Sequence, residues 1–227
     1  MIAKRAADGC QPGGVSSAGA ESLLLVEELT HRITNEFTAA ANLVSFAALN
    51  CANAQDKSLL NDVYERLKGF AGVHRALQAP VEDAVIDATA YLRVLCREIS
   101  VSKLIPRGIQ LVVLGSAVNL RSSVCWGLGL VVSELVNNSF RHAFQRKHGT
   151  ICVGLQHVGP TITCTVEDDG MADPAPAPGR GFRIVQALAD CMEAVIDRKF
   201  SAVGSRCTVT FRAESDFIGS ELFREDI

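Results

Sequence analysis

From Glu21 to Asn50 the apolar residues Val26, Leu29, Ile33, Phe37, Ala40, Val44 and Ala47 recur at alternating three- and four-residue steps, with no Gly or Pro inside the run. That spacing predicts one long amphipathic helix with a single apolar seam. A second run, Leu60, Val63, Leu67, Phe70, His74 and Leu77, keeps the same step until Pro80 closes it, and the polar stretch CANAQDKS joins the two. Together they predict a helical hairpin over 21–80. Two helices enclose too little interior to bury such a seam, so the expectation is a homodimer in which two hairpins form a four-helix bundle. Folding of the seam against the rest of the same chain is the alternative.

After Pro80 the pattern changes. DATAYLRVLCREIS reads as a helix, GIQLVVLG as a strand, and Ser122 to Phe144 as another helix. GTICVGLQHV and TITCTVEDDG alternate like strands and meet at a Gly-Pro turn as a hairpin. MADPAPAPGRG reads as a loop, FRIVQALADCM as a helix, and EAVIDRKF and SRCTVTFRA as closing strands. Helices interleaved with antiparallel strands predict an α+β fold with one sheet covered by helices over 81–213. Residues 1–20, rich in Gly, Ser and Ala, read as a flexible tail, and 214–227 as a mixed acidic one.

Composition narrows the classes. The chain has 227 residues, 48% of them hydrophobic, enough for a sizeable core. A net charge of −3 gives no basic footprint for nucleic acid. The longest apolar stretch, VCWGLGLVV, is too short to span a bilayer, and the N-terminus has no apolar signal region. Eight single cysteines with no Cys-x-x-Cys pair fit buried thiols in a reducing cytosol, so the protein is expected to be cytoplasmic, without membrane or nucleic acid as partner.

Several residues stand out against this frame. His31 falls between Leu29 and Ile33 on the side of the first helix away from the seam, where a half-neutral imidazole in water suits a phosphoryl acceptor as well as an ordinary surface. His74 lies on the seam and reads as a packed structural histidine, and His148 and His157 fall in or beside loops with no metal spacing. In ELVNNSFRHAF, Glu134, Asn138 and His142 are four residues apart and stack along one helix edge. That edge fits a capping or packing network, or the lining of a nucleotide pocket in which Asn138 offers an amide oxygen to Mg²⁺ and Glu134 orients or deprotonates a nucleophile. VEDDG ends an apolar strand with an acceptor, Asp168, beside a glycine that lets a ligand approach the backbone, though Asp-Asp-Gly is also an ordinary turn. GRGFRIV puts Gly179 and Gly181 just before a helix, where free N–H groups favour phosphate.

The order of these pieces is more telling than any one. HRITN, then ELVNNSFRHAF, VEDDG, GRGFRIV and GSRCTVTF resembles the sensor histidine kinases of two-component signalling, in the subclass whose acceptor motif reads His-Arg-x-x-Asn, over Glu21 to Phe211. The resemblance implies a dimerisation and phosphotransfer hairpin followed by a gyrase/Hsp90-type ATP-binding α/β sandwich with a mixed, mostly antiparallel sheet. It also implies His31 as the phosphorylated residue, Asn138 as Mg²⁺ ligand, and Asp168 with Gly170 at adenine. His142, Gly179 and Gly181 fall in the nucleotide-binding boxes, ATP and Mg²⁺ are the cofactors, and a response-regulator receiver domain is the partner. RLKGFAGVHRAL, with Arg66 and His74, is similar to the second-helix motif of that subclass.

The chain departs from the pattern in three places. Ala172 stands where the first glycine box has its second glycine, and Pro174, Pro176 and Pro178 crowd the short lid, both of which work against nucleotide closure. Arg32 follows His31 in place of an acidic residue, which shifts the base role towards Glu134 or leaves it unfilled. About twenty residues precede the first helix, so the sensor is expected to be a separate protein. Two rivals to an ATP-dependent kinase follow: a histidine phosphotransfer adaptor with a degenerate ATP site, and a non-catalytic partner-switching protein.

Overall fold

The computed structural model describes residues 17–80, 83–144, 148–171 and 180–213, with side chains described from residue 32 in the first helix and from 181 in the last. Helix α1 (Ser17–Leu49) begins four residues before Glu21, because Ala18 and Ala20 carry helix propensity into the stretch read as tail. Helix α2 (Ala54–Ala76) starts where Asn53 Oδ1 accepts the Gln55 N–H at 2.9 Å. The two helices form the expected hairpin.

The hairpin's internal seam is not the one the spacing predicts. Among the described residues of α1, Thr34, Ala41 and Ala48 are buried, one position on from Ile33, Ala40 and Ala47, and Ile33 is 40% exposed. Small side chains let α2 approach closely, which turns the larger apolar ones to the flank. Phe37 is the exception, stacking on Phe70 and on the His74 ring at centroid distances of 5.6 and 5.7 Å. The flank is left open: Leu43, Phe46 and Leu49 are 73%, 68% and 73% exposed.

The other face of α2 meets the remainder of the chain. Strand β1 (Val85–Asp87) leads into α3 (Ala88–Ile99), whose first turn is capped by Asp87 Oδ1 accepting the Thr89 and Ala90 N–H groups. Instead of ending at Ser100, the helix widens into a π-helical turn (Ser100–Leu104) and then a 3₁₀ turn (Ile105–Arg107) that Gly108 stops in the left-handed region, φ 69°. A side chain on Gly69 of α2 would come within 3.0 Å of Ser102, and one on Gly72 would run into the Glu98 carboxyl, so these two glycines set the close approach of α2 to the end of α3. At the other end Tyr91 Oη donates to the Ala76 carbonyl at 2.9 Å and Trp126 Nε1 to the Leu77 carbonyl at 3.0 Å.

Strands β2 (Ile109–Leu114), β4 (Gly149–Val158), β5 (Thr161–Asp168), β6 (Val195–Ser201) and β7 (Gly204–Arg212) form one sheet in the order β2-β4-β5-β7-β6, parallel only between β2 and β4. The short strand β3 (Asn119–Arg121) pairs with β1 to one side. Helices α3, α4 (Ser122–His142) and α5 (Arg180–Cys191) bury their apolar sides with one face of the sheet, around Leu92, Leu95, Leu128, Val131, Ile151 and Ile162, none more than 0% exposed. The α+β fold with a mixed, mostly antiparallel sheet is as expected. Among the described residues no helix is long and apolar enough to cross a membrane.

Candidate functional site

The site is built at the end of β5. Residues 162, 164 and 166 of that strand point into the core as Ile, Cys and Val, and by the same two-residue alternation Asp168 is carried onto the buried face, where it is 7% exposed. A buried carboxylate needs donors, and Asp168 has four. Its Oδ1 accepts from the N–H groups of Gly170 (3.1 Å) and Ser205 (3.4 Å), and its Oδ2 from the hydroxyls of Ser139 (2.7 Å) and Ser205 (2.6 Å). Ser205 is the residue facing Asp168 on β7, and Ser139 arrives from α4. Nothing local in the sequence marks either serine.

The neighbouring carboxylate does different work. Asp169 Oδ1 accepts the Thr150 N–H at 2.7 Å and its own N–H donates to the Thr150 carbonyl, closing the start of β4. Of the pair, Asp168 is the one turned into the site. Gly170 has a packing role: a side chain there would meet the Cβ, carbonyl oxygen and carbonyl carbon of Ala143 at 2.5–2.7 Å, so the missing side chain admits the end of α4. Met171 N–H then donates to the Ala143 carbonyl at 2.9 Å.

Along α4, Glu134 and Asn138 are half-buried and His142 is exposed in the last turn. The edge that the four-residue spacing predicts is present, polar at one end and open at the other. Among the described residues the Asn138 amide makes no hydrogen bond, which leaves its oxygen available to a ligand. The Glu134 carboxyl lies against the Cα of Gly181, where an added side chain would collide with it. Gly181 is also not ahead of its helix: α5 starts at Arg180, so Gly181 sits in the first turn, whose N–H groups still lack intrahelical acceptors.

One residue round the helix, Asn137 Oδ1 accepts from Lys103 Nζ at 2.9 Å. Burial holds the Lys103 ammonium below its ordinary pKa, the Arg141 charge adds to the shift, and the Glu134 carboxylate opposes it. His74 is lowered by burial and then by the Lys103 charge. No group of three metal-ligating side chains occurs among the described residues, so a cation here would draw most of its ligands from a bound substrate and water.

The structure brings together Glu134, Asn138, Asp168, Gly170 and Gly181 around the ends of α4, β5 and α5. His31 belongs to α1, and its side chain lies outside the described residues, as do Gly179, Ala172 and the three prolines of the intervening segment.

Two family models match the chain: one described as histidine kinase over residues 28–103 and one described as histidine kinase-like ATPase domain over 107–210. The sensor histidine kinase PdtaS of Mycobacterium tuberculosis is 27% identical over 151 residues, 66% of this chain and 30% of that protein. The protein of the same name from Mycolicibacterium smegmatis is 26% identical over the same shares. The match therefore spans less than a third of these relatives' length. Among solved structures, the histidine kinase domain of the Erythrobacter litoralis blue-light activated histidine kinase covers 82% of this chain, and 98% of itself, with a TM-score of 0.55 and 19% identity. A bacterial phosphotransferase covers 87%, and 98% of itself, with a TM-score of 0.59 and 14% identity.

Proposed function

The chain belongs to the sensor histidine kinases of two-component signalling, and from that premise we propose that it moves the γ-phosphoryl group of ATP to His31 and then to an aspartate on a response-regulator receiver domain. In the first step the bond from the γ-phosphorus to the bridging oxygen breaks as a bond from phosphorus to an imidazole nitrogen of His31 forms. ADP leaves with the bridging oxygen, and the imidazole proton passes to Glu134. The second step transfers the same phosphoryl group to a carboxylate oxygen and returns His31.

The observation that carries this reading is the Asp168 cradle. A carboxylate 7% exposed, held by two serine hydroxyls and two backbone N–H groups, is fixed in direction and ready to accept the amino group of adenine. Gly170 keeps α4 close enough for Ser139 to reach it. Asn138, on the next turn-edge of α4, is assigned to the metal, and its unpartnered, half-buried amide fits a cation with few protein ligands. When bound, Mg²⁺ would supply neutralisation of the charge on the phosphates. His142 flanks the same edge, Gly179 and Gly181 offer backbone N–H groups to the phosphates, and Glu134, resting on Gly181, is the group assigned to the imidazole proton.

The domain boundary is placed at Pro80, with the phosphotransfer hairpin before it and the ATP-binding part over 81–213. The open flank of α1, with Ile33, Leu43, Phe46 and Leu49 exposed, supports a homodimer joined through the hairpins, as the family implies. The His-Arg-x-x-Asn subclass and a cytoplasmic location complete the reading.

Incubation with γ-labelled ATP and Mg²⁺ tests it. Acid-labile label is expected on the wild type, absent in His31→Ala and reduced by at least about a hundredfold in Asp168→Asn, where one oxygen acceptor becomes a donor facing two hydroxyls. Label that persists in His31→Ala overturns the acceptor. Calorimetry that finds no Mg-ATP binding by the wild type overturns the kinase in favour of the adaptor, the reading motivated by Ala172 in the first glycine box.

A further inference from the structure

The π-helical turn Ser100–Leu104 carries a cation with an incomplete environment. Lys103 is half-buried, and its hydrogen bond to Asn137 Oδ1 at 2.9 Å goes to a neutral amide. Arg141, one turn along α4 from Asn137, faces it closely enough to push its proton affinity down. Neither cation is in an ion pair among the described residues. The carboxylate acting on Lys103 is Glu134, whose carboxyl rests on Gly181, so this corner of α4 holds two positive groups and one negative. A half-buried ammonium beside a guanidinium, satisfied by one amide oxygen, is a poor resting state and a good receptor for an anion.

Its place in the fold says which anion. The turn that carries Lys103 is packed on α2, Ser102 lying 3.0 Å from where a Gly69 side chain would be. The Lys103 charge is felt by His74, which stacks on Phe37 of α1, six residues from His31 on the same helix. Lys103 thus stands on a turn held against the polar edge of α4 through Asn137 and against α2, the partner helix of α1, through Gly69.

We propose that Lys103 binds the terminal phosphate of ATP, exchanging the Asn137 oxygen for γ-phosphate oxygens. This rests on the kinase reading above. The contact exists with ATP and not with ADP.

The test is calorimetry of the full chain with Mg-ATP and with Mg-ADP. The wild type binds ATP more tightly than ADP. Lys103→Met loses ATP affinity by about tenfold, the scale of one charge-assisted hydrogen bond, and leaves ADP affinity unchanged, while Lys103→Arg keeps the ATP preference. Lys103→Met that binds ATP like the wild type, or that loses ATP and ADP equally, overturns the proposal, the second result marking Lys103 as a support for α4. If Lys103→Met does not fold, Asn137→Ala decides: freeing the ammonium keeps or raises ATP affinity, and an equal loss for both nucleotides overturns it. A wild type that binds neither nucleotide overturns the kinase reading itself, before any substitution is read.

Discussion

The hairpin and the sheet half of this chain solve burial in opposite ways. Among the described residues of α1 the buried ones are a threonine and two alanines, while Leu43, Phe46 and Leu49 stand in the open. In the sheet half the large residues are inside: Leu92, Leu95, Leu128, Ile151 and Ile162 are wholly covered by α3, α4 and the strands, and the carboxylate buried near them, Asp168, arrives with four donors. The second region covers its large residues, with Val73 of α2 joining its core, and can hold a polar site rigidly. The first has spent its small residues on the internal contact and keeps its large ones for something outside it.

The largest effect that sharpens this contrast is on stability. Leu128→Ala should cost about 2–5 kcal/mol in chemical denaturation, as a cavity in a covered core does, whereas Leu43→Ala should leave the unfolding of the isolated protomer within about 0.5 kcal/mol and raise the concentration at which the protein dimerises. Equal losses at the two positions would erase the distinction. Next in size, Ser205→Ala removes the hydroxyl donor to Asp168 Oδ2 while leaving the Ser205 N–H in place, and should weaken nucleotide binding by about 1–3 kcal/mol in titration calorimetry. Ser139→Ala should act in the same sense from the α4 side.

The smallest effect concerns pH and belongs to the hairpin. His74 has its pKa lowered in the folded protein, by burial first and then by Lys103, so the unfolded chain binds the proton more readily. Stability contributed by the neutral ring is present above the unfolded value and is lost as pH falls below it. Solvent screens a half-exposed ring, so the slope is a few tenths of a kcal/mol per pH unit at most. The melting temperature should fall between pH 7 and pH 5.5, and His74→Phe, which keeps a ring for Phe37 to stack on, should flatten that part of the curve.

What was legible in the sequence was what repeats locally. The three- and four-residue steps marked α1 and α2, the two-residue alternation marked β4, β5 and β7, and Asp168 could be singled out because it closes an apolar strand. Strands β1 and β3, three residues each, are too short to show a period. The π-helical turn beyond Ile99 continues a helix where Ser-Val-Ser gives no sign of one, and Lys103 was passed over with it. Ser139 and Ser205 lie 29 and 37 residues from the carboxylate they hold, and nothing local says so. The offset of the α1 seam has a simpler cause: the stripe of apolar residues is wider than the contact with one neighbour, and spacing cannot say which part of it that neighbour takes.

The hydroxyl of Tyr91 and the indole of Trp126 close over the last carbonyls of α2 from two different helices. Moving the end of α2 away from either helix would uncover one of those oxygens, which ties α2 to α3 and α4 at the same place. The same helix α4 that carries Trp126 also carries Ser139 to Asp168, so a single rigid element joins the end of the hairpin to the partner of the buried carboxylate.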